Sequence, residues 1–249
     1  MIYSLSNIAE IVSGEIAGNS SMQIRYFSID SRTLSSPDQT LFVALKGERH
    51  NAHRFIPELL KLGINAFLIS EPDSIPLDRG EAGFILVKDS LKAFHVLAGY
   101  HRRKFHSPVI GITGSNGKTI VKEWIYQALR KDRPVFRSPR SYNSQVGVPL
   151  SALMIEDIYD LVILEAGISL PGEMSKLENI ISPEIGIITN LGEAHQENFN
   201  SPEQKLREKL ILFRNAKTII YCRDYELIHQ ELKKMYPQGK KMLCWGEHP

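Results

Sequence analysis

The sequence predicts an α/β protein in two parts: a small mixed α/β N-terminal domain, then a mostly parallel sheet of the phosphate-loop type with helices on both faces. Three observations carry this. A glycine-rich turn, Gly111 to Thr119, stands between a short apolar run and a stretch with helical spacing. From Pro108 onward, strand-like and helix-like segments alternate regularly. Before residue 88 the elements are short and their order is mixed.

Taken in order, the first domain, 1–88, opens with a helix over 4–13. Leu5, Ile8, Ala9 and Val12 share one face, and Gly14 marks its end. Ile24 to Ile29 alternates as a strand. Asp30, Ser31 and Arg32 follow, then a polar turn around Pro37 and the apolar run Leu41 to Leu45. Gly47 to His50 reads as a loop, Arg54 to Leu62 as a helix, and Ile64 to Ile69 and Phe84 to Val87 as buried strands. A boundary is expected within 88–106, across a helix that turns Leu91, Phe94, Leu97 and Ala98 inward. The second domain, 89–249, should carry strands at 108–113, 134–136, 160–165, 184–189, 217–221 and 241–244. Helices are expected near 118–130, 146–155, 173–181, 202–214 and 224–235. In such a sheet, ligands collect at the carboxyl ends of the strands.

The chemistry concentrates there. Gly114, Ser115, Asn116 and Gly117 let the backbone curl so that successive N–H groups face phosphate oxygens, and the helix behind presents its positive end to the same anion. Lys118 supplies a mobile cation, and the Thr119 hydroxyl can reach a Mg²⁺. The spacing departs from the general G-x-x-x-x-G-K-[ST] pattern, because five residues separate Gly111 from Gly117. The strand Leu161 to Leu164 delivers Glu165, a carboxylate placed to hold Mg²⁺ beside a phosphate loop. The strand Ile185 to Ile188 delivers Thr189, Asn190 and, six residues after Thr189, His195.

Composition excludes several classes. The net charge of +2 and the lack of a Lys/Arg run argue against nucleic acid as a partner. Cys222 and Cys244 lie far apart without metal-like spacing, as reduced thiols of a cytoplasmic protein. Met1 to Asn7 lacks the basic start and apolar core of a signal peptide. No apolar run approaches the ~18 residues a spanning helix needs.

With these residues in view, the whole chain resembles the Mur ligases of peptidoglycan synthesis, in particular the branch that adds D-alanyl-D-alanine. That family's loop has the form Thr-Gly-x-x-Gly-Lys-Thr, so the spacing at Gly111 is ordinary there. Asp30-Ser31-Arg32 and Leu41 to Gly47 look like its uridine-nucleotide domain; Lys122-Glu123, Gly147 to Pro149, Glu165 to Gly167 and Gly172-Glu173 match the branch. Thr189 to His195, with Glu197, Phe199 and Ser201, is the most specific match. The resemblance implies a UDP-muramoyl-substrate-binding domain over 1–88 and an ATP-binding central domain over 89–249. It implies that Lys118, the loop and Asn190 bind ATP, and that Thr119, Glu165 and His195 serve Mg²⁺. Lys209 falls where the family carries a carbamylated lysine that also serves the metal. Asp30, Ser31, Arg32, Lys46 and Asn143 would contact UDP-N-acetylmuramoyl-tripeptide, and D-alanyl-D-alanine would be the incoming amine. This sequence departs from the family in three places: Asn143 stands alone where Asn-x-Asn-Asn is usual, Leu210-Ile211 follow Lys209 in place of Gly-Glu, and Asn51-Ala52-His53 replaces Asp-Gly-His.

Three function classes stay open on the residues: an amide-forming ligase, a phosphate-loop kinase or other NTPase, and a nucleotide-binding module without turnover. Within the family, an amino-acid-adding or folylpolyglutamate-like ligase is the alternative. The family's third domain has no counterpart before Pro249, so a fragment without ligase activity is expected. The resemblance also admits fusion to an alanine racemase in the parent chain; nothing in these 249 residues carries its pyridoxal-binding lysine.

Overall fold

A computed structural model describes residues 1–32, 36–194 and 196–247. The chain divides into two compact units, Met1–Tyr100 and His101–Pro249.

The first unit begins with β1 (Tyr3–Ser4) and α1 (Leu5–Val12), where the Ser4 side chain accepts the Asn7 N–H as an N-cap. At its C-terminus the left-handed residue is Ser13, φ 53°, and not Gly14. Gly14 is needed for a different reason: a Cβ there would meet Ile85 Cγ2 at 2.5 Å. Next come β2 (Glu15–Gly18), β3 (Gln23–Ile24) and β4 (Tyr26–Ser28). The single strand expected over Ile24 to Ile29 is thus split. Gln23–Ile24 pairs antiparallel with β1, while Tyr26–Ser28 pairs parallel with β5 (Thr40–Val43). A 3-10 turn, Ala52–Phe55, leads into α2 (Ile56–Lys61), followed by β6 (Ala66–Ile69) and β7 (Gly83–Leu86). The sheet order is β2-β7-β6-β5-β4, parallel from β4 through β7, with β2 antiparallel on its edge. Phe42, Phe67 and Phe84 fill its core, the last two stacked at 5.0 Å. Because β4, β5 and β6 run parallel, Asp30, Lys46 and Glu71 all follow carboxyl ends on one sheet edge.

The division falls within α3 (Ser90–Arg103), whose Phe94, Leu97 and Ala98 are buried as the sequence predicts. The second unit alternates strictly: β8 (Val109–Thr113), α4 (Lys118–Leu129), β9 (Val135–Arg137), α5 (Gly147–Ala152), β10 (Leu161–Glu165), α6 (Glu173–Ile181), β11 (Ile185–Ile188), α7 (Pro202–Leu210), β12 (Thr218–Cys222), α8 (Glu226–Met235) and β13 (Lys241–Trp245). The helix expected over 202–214 ends early, its last turn tightening into a 3-10 segment, Ile211–Phe213. Among the described residues six strands form an all-parallel sheet, in the order β13-β12-β11-β8-β10-β9. One face buries Ile110, Ile112, Ile163 and Ile187 against Val121 and Ile125 of α4. On the other, Pro183 and Leu212 close over Gly111. Every residue of β8 and β10 is buried, which explains their unbroken apolar runs. The winding reverses at β8, which lies between β10 and β11, so the crevice for a ligand opens at the carboxyl ends of these three strands. No helix among the described residues is long and apolar enough to cross a membrane.

Candidate active site

The turn after β8 is shaped by two glycines with positive φ, Gly114 (138°) and Gly117 (79°). A Cβ on Gly114 would sit 2.0 Å from Thr189 Oγ1, so only glycine lets the turn lie this close to the end of β11. The turn is fastened to that strand's exit. Ser115 N–H donates to the Asn190 carbonyl at 3.0 Å and Asn116 N–H to Asn190 Oδ1 at 2.9 Å. Thr189 Oγ1 donates to the Asn116 carbonyl at 2.6 Å, and Gly192 N–H donates to Ser115 Oγ at 2.9 Å. The N-terminus of α4 carries no side-chain cap, leaving its positive end to an anion.

Lys118 folds back over the turn, donating from Nζ to the carbonyls of Gly114 at 2.8 Å and Ser115 at 3.1 Å. Burial pushes its ammonium pKa down, opposed by the charge of Glu165. Lys209 reaches the same Gly114 carbonyl from α7 at 3.4 Å. It is 3 % exposed, and burial, with the Lys118 and Lys205 ammoniums close by, brings its pKa down to about 7. Lys205, one turn earlier, donates to the Gly192 carbonyl at 2.6 Å.

Glu165, at the end of β10, has no exposed surface, so it is not a solvated carboxylate. Thr119 Oγ1 donates to its Oε2 at 3.0 Å and lies 3.3 Å from Ser141 Oγ. Asn143 Nδ2 donates to Oε1 at 3.5 Å, and the Lys122 ammonium lies 3.8 Å from the same oxygen. Burial raises the pKa of Glu165, and the Lys122 charge, the Thr119 hydroxyl, the Lys118 charge and Asn143 oppose that rise. The oxygens of Glu165, Thr119 and Ser141 form an all-oxygen set, the donor chemistry of a hard divalent cation that completes its shell with phosphates. Among the described residues no group of three or more His, Cys, Asp or Glu side chains is gathered for a metal. The Glu165, Thr119 and Ser141 oxygens fit a divalent cation whose shell a phosphorylated ligand completes. His195 lies outside the described residues; Ala194 before it lines a cavity of about 370 Å³ together with Gly114, Lys118, Asn143, Gly167 and Lys209.

The first unit holds a separate polar cluster. Arg32 forks onto Asp30, Nε to Oδ1 at 2.9 Å and Nη2 to Oδ2 at 2.7 Å, and holds the carboxyl down to about 2. The Arg32 side chain is 85 % exposed, and Ser31 lies in the turn between them. Lys46 Nζ donates to Glu71 Oε1 at 2.7 Å, and Asn51 Nδ2 to Glu71 Oε2 at 2.9 Å. His53, buried, accepts the Ser70 N–H on Nε2 at 2.9 Å and meets Asn51 Oδ1 through Nδ1 at 2.7 Å.

Reading the sequence for site residues misses Glu71, Lys122, Ser141 and Lys205. Glu71 had a usable signal, since it follows a strand in line with Asp30 and Lys46. Lys122 had a weaker one: it repeats Lys118 at i+4 on one helix face. Ser141 and Lys205 had none, because only tertiary packing brings them in.

Comparison with known proteins meets this geometry from another side. The family model described as Mur ligase middle domain matches residues 112–247, and that described as Mur ligase family, catalytic domain, matches 23–102. The UDP-N-acetylmuramoyl-tripeptide–D-alanyl-D-alanine ligase of Bacillus subtilis is 32% identical over 247 residues, 98% of this chain and 53% of that protein. Its namesake from Escherichia coli is 34% identical over 197 residues, 79% and 42%. The crystal structure of MurF from Acinetobacter baumannii shares the fold, with a TM-score of 0.85 at 24% identity over 100% of this chain and 54% of its own. MurF ligase from Thermotoga maritima, solved in complex with ADP, gives 0.77 at 30% identity over 90% and 51%. The chain spans about half the length of the curated relatives it matches. Its two family matches, the relatives along its length and the shared architecture agree: the chain belongs to the Mur ligase family.

Proposed function

We propose that this chain is the nucleotide- and precursor-binding part of an ATP- and Mg²⁺-dependent ligase of peptidoglycan synthesis, acting in the cytoplasm and joining D-alanyl-D-alanine to UDP-N-acetylmuramoyl-tripeptide. The observation that carries it is the convergence of Lys118 with the Thr119–Glu165 pair on one crevice, in a chain 30% identical to a MurF solved with ADP. In this reading the first 88 residues take the uridine end of the precursor through Asp30, Ser31, Arg32 and Lys46. Residues 89–249 take ATP, with Asn143 on the substrate side of the cavity.

The reaction runs in two steps. The free carboxylate of the tripeptide attacks the γ-phosphorus of ATP; the bond to the β-phosphate oxygen breaks, leaving an acyl phosphate and ADP. The amine of D-alanyl-D-alanine then attacks the acyl carbon, loses a proton, and phosphate departs with the C–O bond electrons. The turn's N–H groups and the start of α4 hold the phosphates, and Lys118 meets the charge that develops between β and γ. Asn190 keeps the turn in shape through Asn116. Thr119 and Glu165, with His195 and a carbamylated Lys209, are the residues that would hold Mg²⁺, which neutralises phosphate charge. Full burial of Glu165 and partial burial of Lys118 strengthen each charge interaction relative to water.

Mass spectrometry of products made by the full-length parent enzyme from ATP, the UDP-muramoyl-tripeptide and D-alanyl-D-alanine tests the activity. The amide product with stoichiometric ADP and phosphate is expected. Phosphate release that ignores the muramoyl tripeptide would favour an NTPase instead, and nucleotide binding without any release would favour a binding module.

A further inference from the structure

Lys122 has no part in the chemistry above, yet its side chain is wholly buried. Its ammonium donates to the Ser138 carbonyl at 2.8 Å and to the Arg140 carbonyl, both on the exit from β9. It also lies 3.8 Å from Glu165 Oε1 and 3.7 Å from Glu123 Oε1. Two carbonyls and two carboxylates thus surround one cation, which offsets its desolvation. Arg140 has φ 46°, a left-handed conformation unfavourable for a residue with a side chain. Something must hold it there, and the charge-assisted bond to its own carbonyl does so. The same short segment continues to Ser141, which meets Thr119, and to Asn143, which meets Glu165 and whose carbonyl accepts the Gly167 N–H at 2.8 Å. One lysine therefore touches both the strained segment and the carboxylate that the segment faces.

We propose that Lys122 is a positioning residue: it clamps the left-handed β9 exit against Glu165, so that Thr119, Ser141, Asn143 and Glu165 stand assembled before any nucleotide arrives. The inference deepens the proposed function and rests on its reading that this wall receives Mg²⁺ and phosphate. Lys122 itself reaches neither. Its location behind the wall, one turn after Lys118, makes it a support for groups that do.

The test uses the 249-residue chain, Lys122→Met, Arg140→Gly and the double variant, with calorimetry of ADP binding with and without Mg²⁺ and hydrogen exchange over 138–143. In Lys122→Met the Mg²⁺-dependent part of ADP affinity should fall about tenfold. Binding of ADP without Mg²⁺ should stay near the unsubstituted value, because Lys118 and the turn are intact. Amides of 138–143 should lose protection. Adding Arg140→Gly should restore part of both losses, since glycine holds a positive φ without a clamp; a merely structural lysine would show no such rescue. Unchanged Mg²⁺-dependent affinity and unchanged exchange in Lys122→Met would overturn the inference. So would losses that Arg140→Gly leaves untouched. Should Lys122→Met fail to fold, Lys122→Gln, which keeps one donor group without the charge, takes its place under the same criteria. If the unsubstituted chain binds no ADP, the functional reading fails, while exchange over 138–143 still decides the role of Lys122.

Discussion

Lys118 and Lys209 meet at a single carbonyl, that of Gly114, and this juxtaposition sets what each can do. Lys118 already satisfies two loop carbonyls, so its ammonium is aimed before phosphate arrives, and little reorganisation is needed on binding. Lys118→Ala should weaken ADP binding at least about tenfold, or ~1.4 kcal/mol; unchanged affinity in calorimetry would remove the central claim. Lys209 is the more strained of the two. Its pKa falls from an unfolded value of ~10.4 to about 7 through burial and the neighbouring Lys118 and Lys205 charges. The folded chain then binds fewer protons than the unfolded chain between these values, so stability rises with pH across that window. The contribution is fully present above the unfolded pKa and is lost as pH falls toward about 7. Lys209→Met should therefore flatten that rise and stabilise the chain near neutral pH by at least ~1 kcal/mol. Denaturant titrations between pH 7 and 10 that keep the wild-type slope would contradict it. Lys118, Thr119, Glu165 and Asn190 were legible because strand ends in a parallel sheet converge. Lys122 offered only its i+4 repeat of Lys118, and Lys205 offered nothing, since a lysine inside a helical pattern reads as a solvated face and only the packed structure shows both buried.

The elements followed the hydrophobic pattern closely wherever burial on both faces gives a strand or helix an unambiguous period. β8 and β10 are of this kind. The pattern failed where pairing decides. Alternation over Ile24 to Ile29 could not show that Arg25 separates two strands with different partners, and nothing local announced that α7 tightens after Leu210. Tertiary charge pairs were equally hidden. Glu231 on α8, 1 % exposed, takes Arg207 of α7 through Nε at 2.6 Å and Lys234 at 2.9 Å, and these partners hold its carboxyl down to about 2. Both cations are more than half exposed, which screens the pair. Glu231→Gln should still cost about 1 kcal/mol, because it removes the tie between α8 and α7, the helix that carries Lys205 and Lys209. The depressed pKa means this contribution is present above the unfolded value near ~4.3 and lost as pH falls toward about 2. Thermal melts at pH 7 and pH 3 should show the variant's deficit shrinking at the lower pH; an equal deficit at both would refute the ionic account.

At the scale of the whole molecule, residues 1–249 should fold and bind nucleotide without joining substrates. Each unit has its own sheet and buried core, so folding needs no further residues. The residues proposed to receive phosphate, from Lys118 across Thr119 and Glu165 to Asn143, all lie within the second unit. Binding should thus be measurable and should strengthen with Mg²⁺, since Glu165 and Thr119 present oxygens that a shared cation would join to the phosphates. Ligation asks for more. An acyl phosphate survives only where water is kept out, which requires a lid and a second wall around the reacting carbonyl. The curated relatives are about twice this length, so half of their chain is unrepresented among these residues. Calorimetry should accordingly give weak, Mg²⁺-dependent ADP binding, weakened at least about tenfold in Lys118→Ala. Mass spectrometry after incubation with ATP, the UDP-muramoyl-tripeptide and D-alanyl-D-alanine should show no amide product. Steady ATP-dependent joining by residues 1–249 alone would mean that the crevice excludes water unaided, and the need for a second wall would have to be abandoned.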